Sequence, residues 1–335
     1  MPNTPQSAFD IFVRDIEPSK TTKSRASQAH TSLRDFLSKH EQFKEVHVRT
    51  FLSGSYKRDT AIRPQKNGED VERPDVDILV VTNHSLADSP AVVVELLYKT
   101  LAEKYENIRR QQRSVGIETA QSDMDVVPII EPVGHAGNLY IADRKLEEWI
   151  ETNPPQHTEW TTDVNARAGM RFKPLVKMVK WWRRENPTAS KKPKGFVLEC
   201  FSAESMSFTE KHYGELFVGT LETFVSTYAG HIARGEVPVV SDPGVPGNSV
   251  TQGLTFDAFK GFYNKAKAHA EKGRSALDET DAEEAVALWR QVFRSRFPKF
   301  GDAKKSAGLL TEASATSSLT FPSRPVRPNK PDGFA

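Results

Sequence analysis

One stretch decides the fold: Pro74-Asp75-Val76-Asp77-Ile78-Leu79-Val80-Val81. Its apolar second half predicts a strand that enters a hydrophobic core, with the charged first half at an edge or mouth. Side chains two residues apart on a strand share a face, so the carboxylates of Asp75 and Asp77 point the same way. Two like charges at that distance repel each other unless a cation lies between them. The motif therefore indicates either a metal site or, since it is short, a solvated strand end.

Two neighbouring motifs favour the metal site. Upstream, Phe51-Leu52-Ser53-Gly54-Ser55-Tyr56 predicts a strand, a glycine turn and a helix start. The free N–H groups of a helix start bind phosphate, while Gly54 allows close approach of the backbone and Ser55 adds a hydroxyl donor. Downstream, Asp123-Met124-Asp125-Val126-Val127-Pro128 predicts a third acid at the start of another buried strand. Asp125 is preferred to Asp123 because apolar residues follow it directly.

The phosphate cradle, the acid pair and the third acid together predict a two-metal site. Mg²⁺ prefers carboxylate and phosphate oxygens, and two such ions about 3.5–4 Å apart can clamp both ends of an in-line phosphoryl displacement. We expect Asp75 and Asp77 to bridge both ions. We expect Asp125 to complete the shell of the first ion and to lie nearest the attacking ribose hydroxyl, as a candidate general base. Mn²⁺ is an alternative to Mg²⁺.

The order of elements predicts an α/β domain followed by a helical one. A long helix through Lys39, capped by Thr21 or Thr22, precedes the first strand, and Ser89-Pro90 opens a helix after the acid pair. We predict three segments. Residues 1–142 form the α/β core with its N-terminal helices, and residues 143–300 form a helical lobe. Residues 301–335, which are rich in Ser, Thr, Pro and Lys, form an extended or disordered tail.

Composition excludes several classes of protein. The chain has 335 residues, of which 37% are hydrophobic and 27% charged, and its apolar runs are far shorter than the roughly 20 residues that span a bilayer. Its first residues lack the basic-then-apolar layout of a signal peptide. Cys200 is the only cysteine, which excludes an internal disulfide and a multi-cysteine zinc site. We therefore expect a cytoplasmic protein without a membrane partner, and the net charge of +2 argues against a requirement for long nucleic acid.

The motifs resemble those of a known family. Three segments, Gly54-Ser55-Tyr56-Lys57-Arg58-Asp59-Thr60-Ala61-Ile62, Asp75-Val76-Asp77 and Asp125-Val126-Val127-Pro128, resemble the cGAS/DncV-like nucleotidyltransferases (CD-NTases) of bacterial anti-phage signalling (CBASS). These belong to the polymerase-β superfamily, as do the oligoadenylate synthases. The resemblance covers Leu52 to Pro132. It implies an α/β (α+β) fold in which a polymerase-β-like nucleotidyltransferase core with a small mixed sheet packs on a helical, oligoadenylate-synthase-like second lobe.

Two weaker resemblances lie in the predicted helical lobe. Residues 172–182 resemble the family's helix that carries a triphosphate-binding lysine, which by position is Lys180. Lys177 shares its face of that helix, although a solvated basic stripe would look the same. Residues 239–248 resemble the Asp-Pro loop that lines the nucleotide pocket of these enzymes, which makes Asp242 a candidate nucleotide-binding residue.

The resemblance implies a template-independent enzyme that joins ribonucleoside triphosphates, ATP among them, into a cyclic di- or trinucleotide second messenger with release of pyrophosphate. It also allows for a regulatory protein partner and a downstream effector in defence against phage. Two alternatives within the enzyme class are linear oligoadenylate synthesis and transfer of a single nucleotide. A catalytically inactive nucleotide-binding module is the alternative outside it, which the presence of Asp75, Asp77 and Asp125 disfavours. The residues leave the bases and the linkage open.

Overall fold

The computed structural model describes residues 4–64, 66–67, 70–71, 73–134 and 137–302. The predicted tail therefore lies outside the described residues from residue 303 onward. None of the helices within these ranges is long and apolar enough to cross a membrane. The cytoplasmic location itself stays a prediction.

A mixed β-sheet forms the first half of the described chain. The strands, in chain order, are β1 (His47–Leu52), β2 (Lys66–Asn67), β3 (Asp70–Val71), β4 (Asp75–Thr82), β5 (Ile108–Arg110), β6 (Val115–Glu118), β7 (Asp123–Ile130), β8 (Leu139–Asp143) and β9 (Glu148–Thr152). Apart from the short β2–β3 hairpin, they form one sheet in the order β1-β4-β7-β6-β5, with β8 paired to the end of β7 and β9 to β8. β4 and β7 are parallel neighbours, and every other described pair is antiparallel. The small mixed sheet that the resemblance implied is confirmed.

Helices cover the sheet and build the second half. In chain order they are α1 (Gln6–Ile16), α2 (Lys20–Lys39), α3 (Gly54–Arg58), α4 (Pro90–Ala102), α5 (Pro154–Arg167), α6 (Phe172–Glu185), α7 (Gly195–Ser205), α8 (Tyr213–Arg234), α9 (Phe256–Asp278) and α10 (Ala282–Phe293). The predicted cap of α2 is wrong: Ser19 caps it, because its hydroxyl accepts the N–H of Thr22 at 3.1 Å. α4 begins at Pro90 after Ser89, as predicted.

The central strand β4 is buried on both faces. Val76, Ile78 and Val80 pack with residues of α2 and α4 on one face. Leu79 and Val81 pack with residues of β7 and β8 on the other. A strand held in this way cannot slip by one residue without moving its polar side chains into a core. The start of β4, which carries the acid pair, is thereby fixed at the edge of the core.

The sheet continues past residue 142, where we predicted the end of the α/β core. β9 pairs with β8 and ends at Thr152, after which the side chain of Asn153 caps α5. In the described residues that follow, regular structure is helical apart from an isolated bridge between Ser241 and Ser249. The division of the chain into domains at residue 142 stays a prediction.

The amino-terminal helix α1 packs into the helical half. Phe9 and Phe12 are fully buried there. The ring centroid of Phe9 lies 5.0 Å from that of Trp289, and the ring centroid of Phe12 lies 4.5 Å from that of Phe293. Aromatic side chains bury large apolar areas, so these contacts tie α1 firmly to α10.

Removal of one of these rings tests how much α1 contributes to stability. We expect Phe12→Ala to lower the free energy of unfolding by about 3–5 kcal/mol, because a cavity replaces a buried ring. The measurement is urea unfolding followed by tryptophan fluorescence, with Arg14→Ala, at an exposed position of the same helix, as the control. Equal unfolding midpoints for the two variants would contradict a packed α1.

Candidate active site

The parallel pairing of β4 with β7 brings the predicted acids together. Asp77 lies opposite Asp125, and Asp75 lies opposite Asp123. Alternate residues of a strand share a face, so these side chains lie on the face that carries Leu79, at the end where both strands begin. The structure thus gathers the three predicted metal ligands on one face of the sheet, with Asp123 beside them. We call this arrangement the acid face.

Gly54 lies so close to Asp77 that no other residue fits. Its φ of 64° is in the left-handed region, and a Cβ added there would lie 1.7 Å from Oδ2 of Asp77. The N–H of Ser53 donates to the main-chain oxygen of Asp77 at 2.8 Å. Ser55 follows in the first turn of α3. The predicted phosphate cradle and the predicted acid pair are therefore in direct contact.

Burial and the repulsion between neighbouring acids raise the pKa values of two carboxyl groups on the acid face. Partial burial, followed by the charges of the neighbouring acids, raises the pKa of Asp75 to about 6. Burial and the charge of Asp125 raise the pKa of Asp77, while Arg58 and Lys180 act in the opposite direction. A cation among these carboxylates would relieve the repulsion, because it favours their charged form.

The donor set fits a divalent ion whose shell is completed by substrate oxygens. Within the described residues, no three His, Cys, Asp or Glu side chains are gathered closely enough to hold a metal ion by themselves. Mg²⁺ usually takes only one or two protein carboxylates, and phosphate oxygens and water supply the rest. A set of carboxylates without His or Cys suits Mg²⁺ or Mn²⁺ better than Zn²⁺.

Gln111 is a residue of this site that sequence reasoning missed. Its Nε2 donates to Oδ1 of Asp125 at 2.8 Å, and its Oε1 accepts from the hydroxyl of Ser114 at 3.1 Å. Gly116, which pairs with Asp125, leaves room for this side chain, because a Cβ there would lie 2.6 Å from Nε2 of Gln111. Gln111 thus fixes one carboxylate oxygen of Asp125. The only sequence signal for this contact is Gly116 inside a predicted strand, and it does not point to a particular partner.

Lys180 lies in a buried ion cluster that joins α3 to α6 and α7. Its Nζ donates to Oε1 of Glu199 at 2.7 Å and to Oγ1 of Thr60 at 3.1 Å. Arg58 donates twice to the same carboxylate, at 2.9 and 3.0 Å. Burial alone would raise the pKa of Glu199, but Lys180 and Arg58 outweigh it and lower that pKa to about 2. Lys180 lies near enough to Asp77 to affect its pKa, and its contact with a triphosphate stays a prediction.

Lys177 is held in ion pairs, and Asp242 is held in a separate hydrogen bond with a histidine. Nζ of Lys177, a buried side chain, lies 2.7 Å from Oε1 of Glu17 and 3.4 Å from Oδ1 of Asp59. Oδ1 of Asp242 lies 2.6 Å from Nε2 of His157. Neither contact places these residues beside the acid pair, so their role in nucleotide binding stays a prediction.

Comparison with known proteins identifies the family. Residues 4–165 match the Second Messenger Oligonucleotide or Dinucleotide Synthetase domain. The chain is 48% identical to a cyclic AMP-AMP-AMP synthase of Acinetobacter sp., in a match that covers 99% of this chain and 98% of the relative. The chain belongs to the CD-NTase family.

More distant relatives of this CD-NTase agree with that assignment. It is 29% identical to a cyclic AMP-AMP-GMP synthase of Enterobacter hormaechei, over 98% of this chain and 99% of the relative. The structure of the CD-NTase CdnG of Bradyrhizobium diazoefficiens, in complex with GTP, superposes with a TM-score of 0.72 at 13% identity and covers 91% of this chain and 97% of that one. This likeness shows the shared fold.

Membership of the family confirms the predicted activity. The CD-NTase is a nucleotidyltransferase that joins ribonucleoside triphosphates into a cyclic oligonucleotide second messenger of CBASS signalling. This activity replaces the three alternatives, which were linear oligoadenylate synthesis, transfer of a single nucleotide and a catalytically inactive nucleotide-binding module. Enzymes of this family generally use divalent metal ions, and the assignment of Asp75, Asp77 and Asp125 as their ligands stays a prediction.

Burial and charge repulsion on the acid face together predict how stability depends on pH when metal is absent. The pKa of Asp75 is raised from its ordinary value, about 3.9, to about 6. Between these values the folded protein binds more protons than the unfolded chain, so the free energy of unfolding falls as pH rises. In EDTA we expect Asp75→Asn to be more stable than the wild type at pH 7, with the difference closing toward pH 4. Thermal unfolding across this range measures it, and a difference that widens toward pH 4 would contradict the raised pKa.

The contact between Gln111 and Asp125 predicts a change in metal dependence. We expect Gln111→Ala to raise the Mg²⁺ concentration for half-maximal pyrophosphate release by about tenfold, because Asp125 loses the group that orients it. Gln112→Ala is the matched control, since its Nε2 donates at 2.7 Å to Asp143, outside the acid face. The same Mg²⁺ dependence in both variants would show that Gln111 does not contribute to metal binding at this site.

Proposed function

We propose that this CD-NTase condenses three molecules of ATP into cyclic AMP-AMP-AMP. The observation that carries the proposal is the 48% identity, along nearly the whole of both chains, to a synthase named for that product. The relative named for a product that also contains GMP is 29% identical. Base choice depends on the side chains around each nucleobase, so the relative that shares more residues is the better guide.

Each of the three steps is the same substitution at phosphorus. A ribose hydroxyl of one nucleotide attacks the α-phosphorus of the next ATP, so that a new P–O bond forms and the bond to pyrophosphate breaks. The hydroxyl proton passes to a base. The third step joins the two ends of the linear chain, so three ATP give one cyclic product and three pyrophosphates.

The acid face supplies the ligands and the base in this proposal. Asp75, Asp77 and Asp125 would hold two divalent ions, Mg²⁺ in the first place, which neutralise phosphate charge and lower the pKa of the attacking hydroxyl. Gln111 occupies Oδ1 of Asp125. This hydrogen bond orients the carboxylate of Asp125, which is our candidate acceptor of the hydroxyl proton.

The first turn of α3 binds the triphosphate in this proposal. The main-chain N–H groups of Gly54 and Ser55, with the Ser55 hydroxyl, are the donors to phosphate oxygens. Lys180 supports this segment, since it bonds to Thr60, whose N–H donates to the carbonyl of Ser55 at 2.9 Å. Direct contacts of the nucleotide with Lys180, Lys177 and Asp242 remain part of the proposal, as do a regulatory protein partner and a downstream effector.

Synthesis from ATP alone tests the proposed product. The purified protein is incubated with Mg²⁺ and either ATP or all four ribonucleoside triphosphates, treated with phosphatase and analysed by mass spectrometry. We expect the same phosphatase-resistant cyclic triadenylate in both reactions. A product that requires GTP, or one that phosphatase destroys, would contradict the proposal.

Two matched acid variants test the metal ligands in the same assay. We expect Asp77→Asn to lose product formation while it stays folded, because a ligand of the ions is removed. Asp123→Asn is expected to keep activity, since Asp123 pairs with Arg73 at 2.9 Å and is not assigned to the metal. Full activity of Asp77→Asn would show that the ligand assignment is wrong.

A further inference from the structure

Four arginines surround one cavity of about 300 Å³, which we call the arginine cavity. They are Arg25 of α2, Arg63 after α3, Arg73 before β4, and Arg296 after α10. Among the described residues that line the cavity, none is acidic. Like charges at short range repel each other, so this arrangement favours the binding of an anion.

Carboxylates of the protein compensate these charges only in part. Arg63 and Arg296 share a single carboxylate, that of Asp15, at 3.6 and 3.2 Å. The side chain of Arg25 is exposed and has no hydrogen bond or ion pair within the described part of the chain. On this side of the cavity, three guanidinium groups therefore share one negative charge.

Arg73 connects the cavity to the acid face. Its Nε lies 2.9 Å from Oδ1 of Asp123, and its second carboxylate partner, Glu118, is shared with Arg109. Pro74, which also lines the cavity, directly precedes the acid pair. An anion in the cavity would therefore lie close to the acid face, although none of the predicted triphosphate-binding residues lines the cavity.

The groups in the wall suit a chain of phosphates. A guanidinium group can donate two parallel hydrogen bonds to a phosphate, which gives arginine a strong preference for this partner. Ser19 and Thr22 add hydroxyl groups to the wall where the 20-residue helix α2 begins. The N–H groups at that helix end add partial positive charge. Several cations around one space match an anion with several charges better than one with a single charge.

We propose that the arginine cavity binds the phosphate chain of a second ligand, apart from the triphosphate assigned to Gly54 and Ser55. Two sources can supply such a chain. One is a nucleoside triphosphate, or a linear intermediate that still carries its 5′-triphosphate, and the other is free inorganic polyphosphate. The inference depends on the charge and position of the cavity, so it stands whichever cyclic product the enzyme makes.

Binding of inorganic tripolyphosphate, measured by titration calorimetry in EDTA, tests the proposal. We expect the double variant Arg25→Ala with Arg296→Ala to bind about tenfold more weakly than the wild type, because charge-assisted hydrogen bonds are lost. Arg234→Ala is the matched control, since this exposed arginine pairs with Glu236 and does not line the cavity. Equal affinities of the double variant and the control would overturn the proposal.

Two further measurements make the result specific. Arg25→Ala alone breaks no ion pair of the described residues, so its weaker binding would support the site even if the loss of Arg296 disturbs the fold. Titration of the same proteins with ATP identifies the source of the chain. If the double variant binds both ATP and tripolyphosphate more weakly, a nucleotide supplies the phosphate chain. If it binds only tripolyphosphate more weakly, free polyphosphate supplies the phosphate chain.

Discussion

The parallel pairing of β4 with β7 is the constraint on which the catalytic face depends. Its register sets Asp77 opposite Asp125, and a shift of one strand by one residue would exchange polar for apolar side chains on that face. The apolar second halves of both strands resist such a shift, because they are packed on both faces of the sheet. The hydrophobic core, which contains no reacting group, therefore determines where the negative charges lie.

Two clusters of charged side chains in this protein are balanced in different ways. In the cluster around Glu199, the carboxylate is fully buried and two cations, Lys180 and Arg58, compensate it. Loss of one partner from such a cluster leaves an uncompensated charge, so it holds α3 against the helical half. On the acid face, partial burial and then the charges of the neighbouring acids raise the pKa of Asp75, although Arg73 pairs with Asp123 at 2.9 Å. The cluster around Glu199 is thus compensated within the fold, whereas Asp75 and Asp77 keep raised pKa values where metal and phosphate are expected to bind.

Local sequence patterns predicted the acids and the phosphate cradle, but contacts between residues far apart along the chain could not be predicted from the sequence. The apolar run after the acid pair and the turn at Gly54 are properties of neighbouring residues, and the structure has a strand and a turn at these positions. Gln111 reaches its partner only through strand register, and Glu199 lies 141 residues from Arg58 along the chain. The sequence predicted the basic face of α6. It did not predict which ammonium groups of that face are buried against carboxylates, because this depends on packing. The placement of α1 in the helical half depends on packing for the same reason.

The contact between α1 and α10 joins residues that lie far apart along the chain. Phe9 and Phe12 leave the ribosome long before Trp289 and Phe293 are made. At about 5–20 residues per second, the interval is on the order of tens of seconds. During that interval the apolar face of α1 lacks its final partner and is open to chaperones or to other nascent chains. The helical half therefore completes its core only after Phe293 has been made.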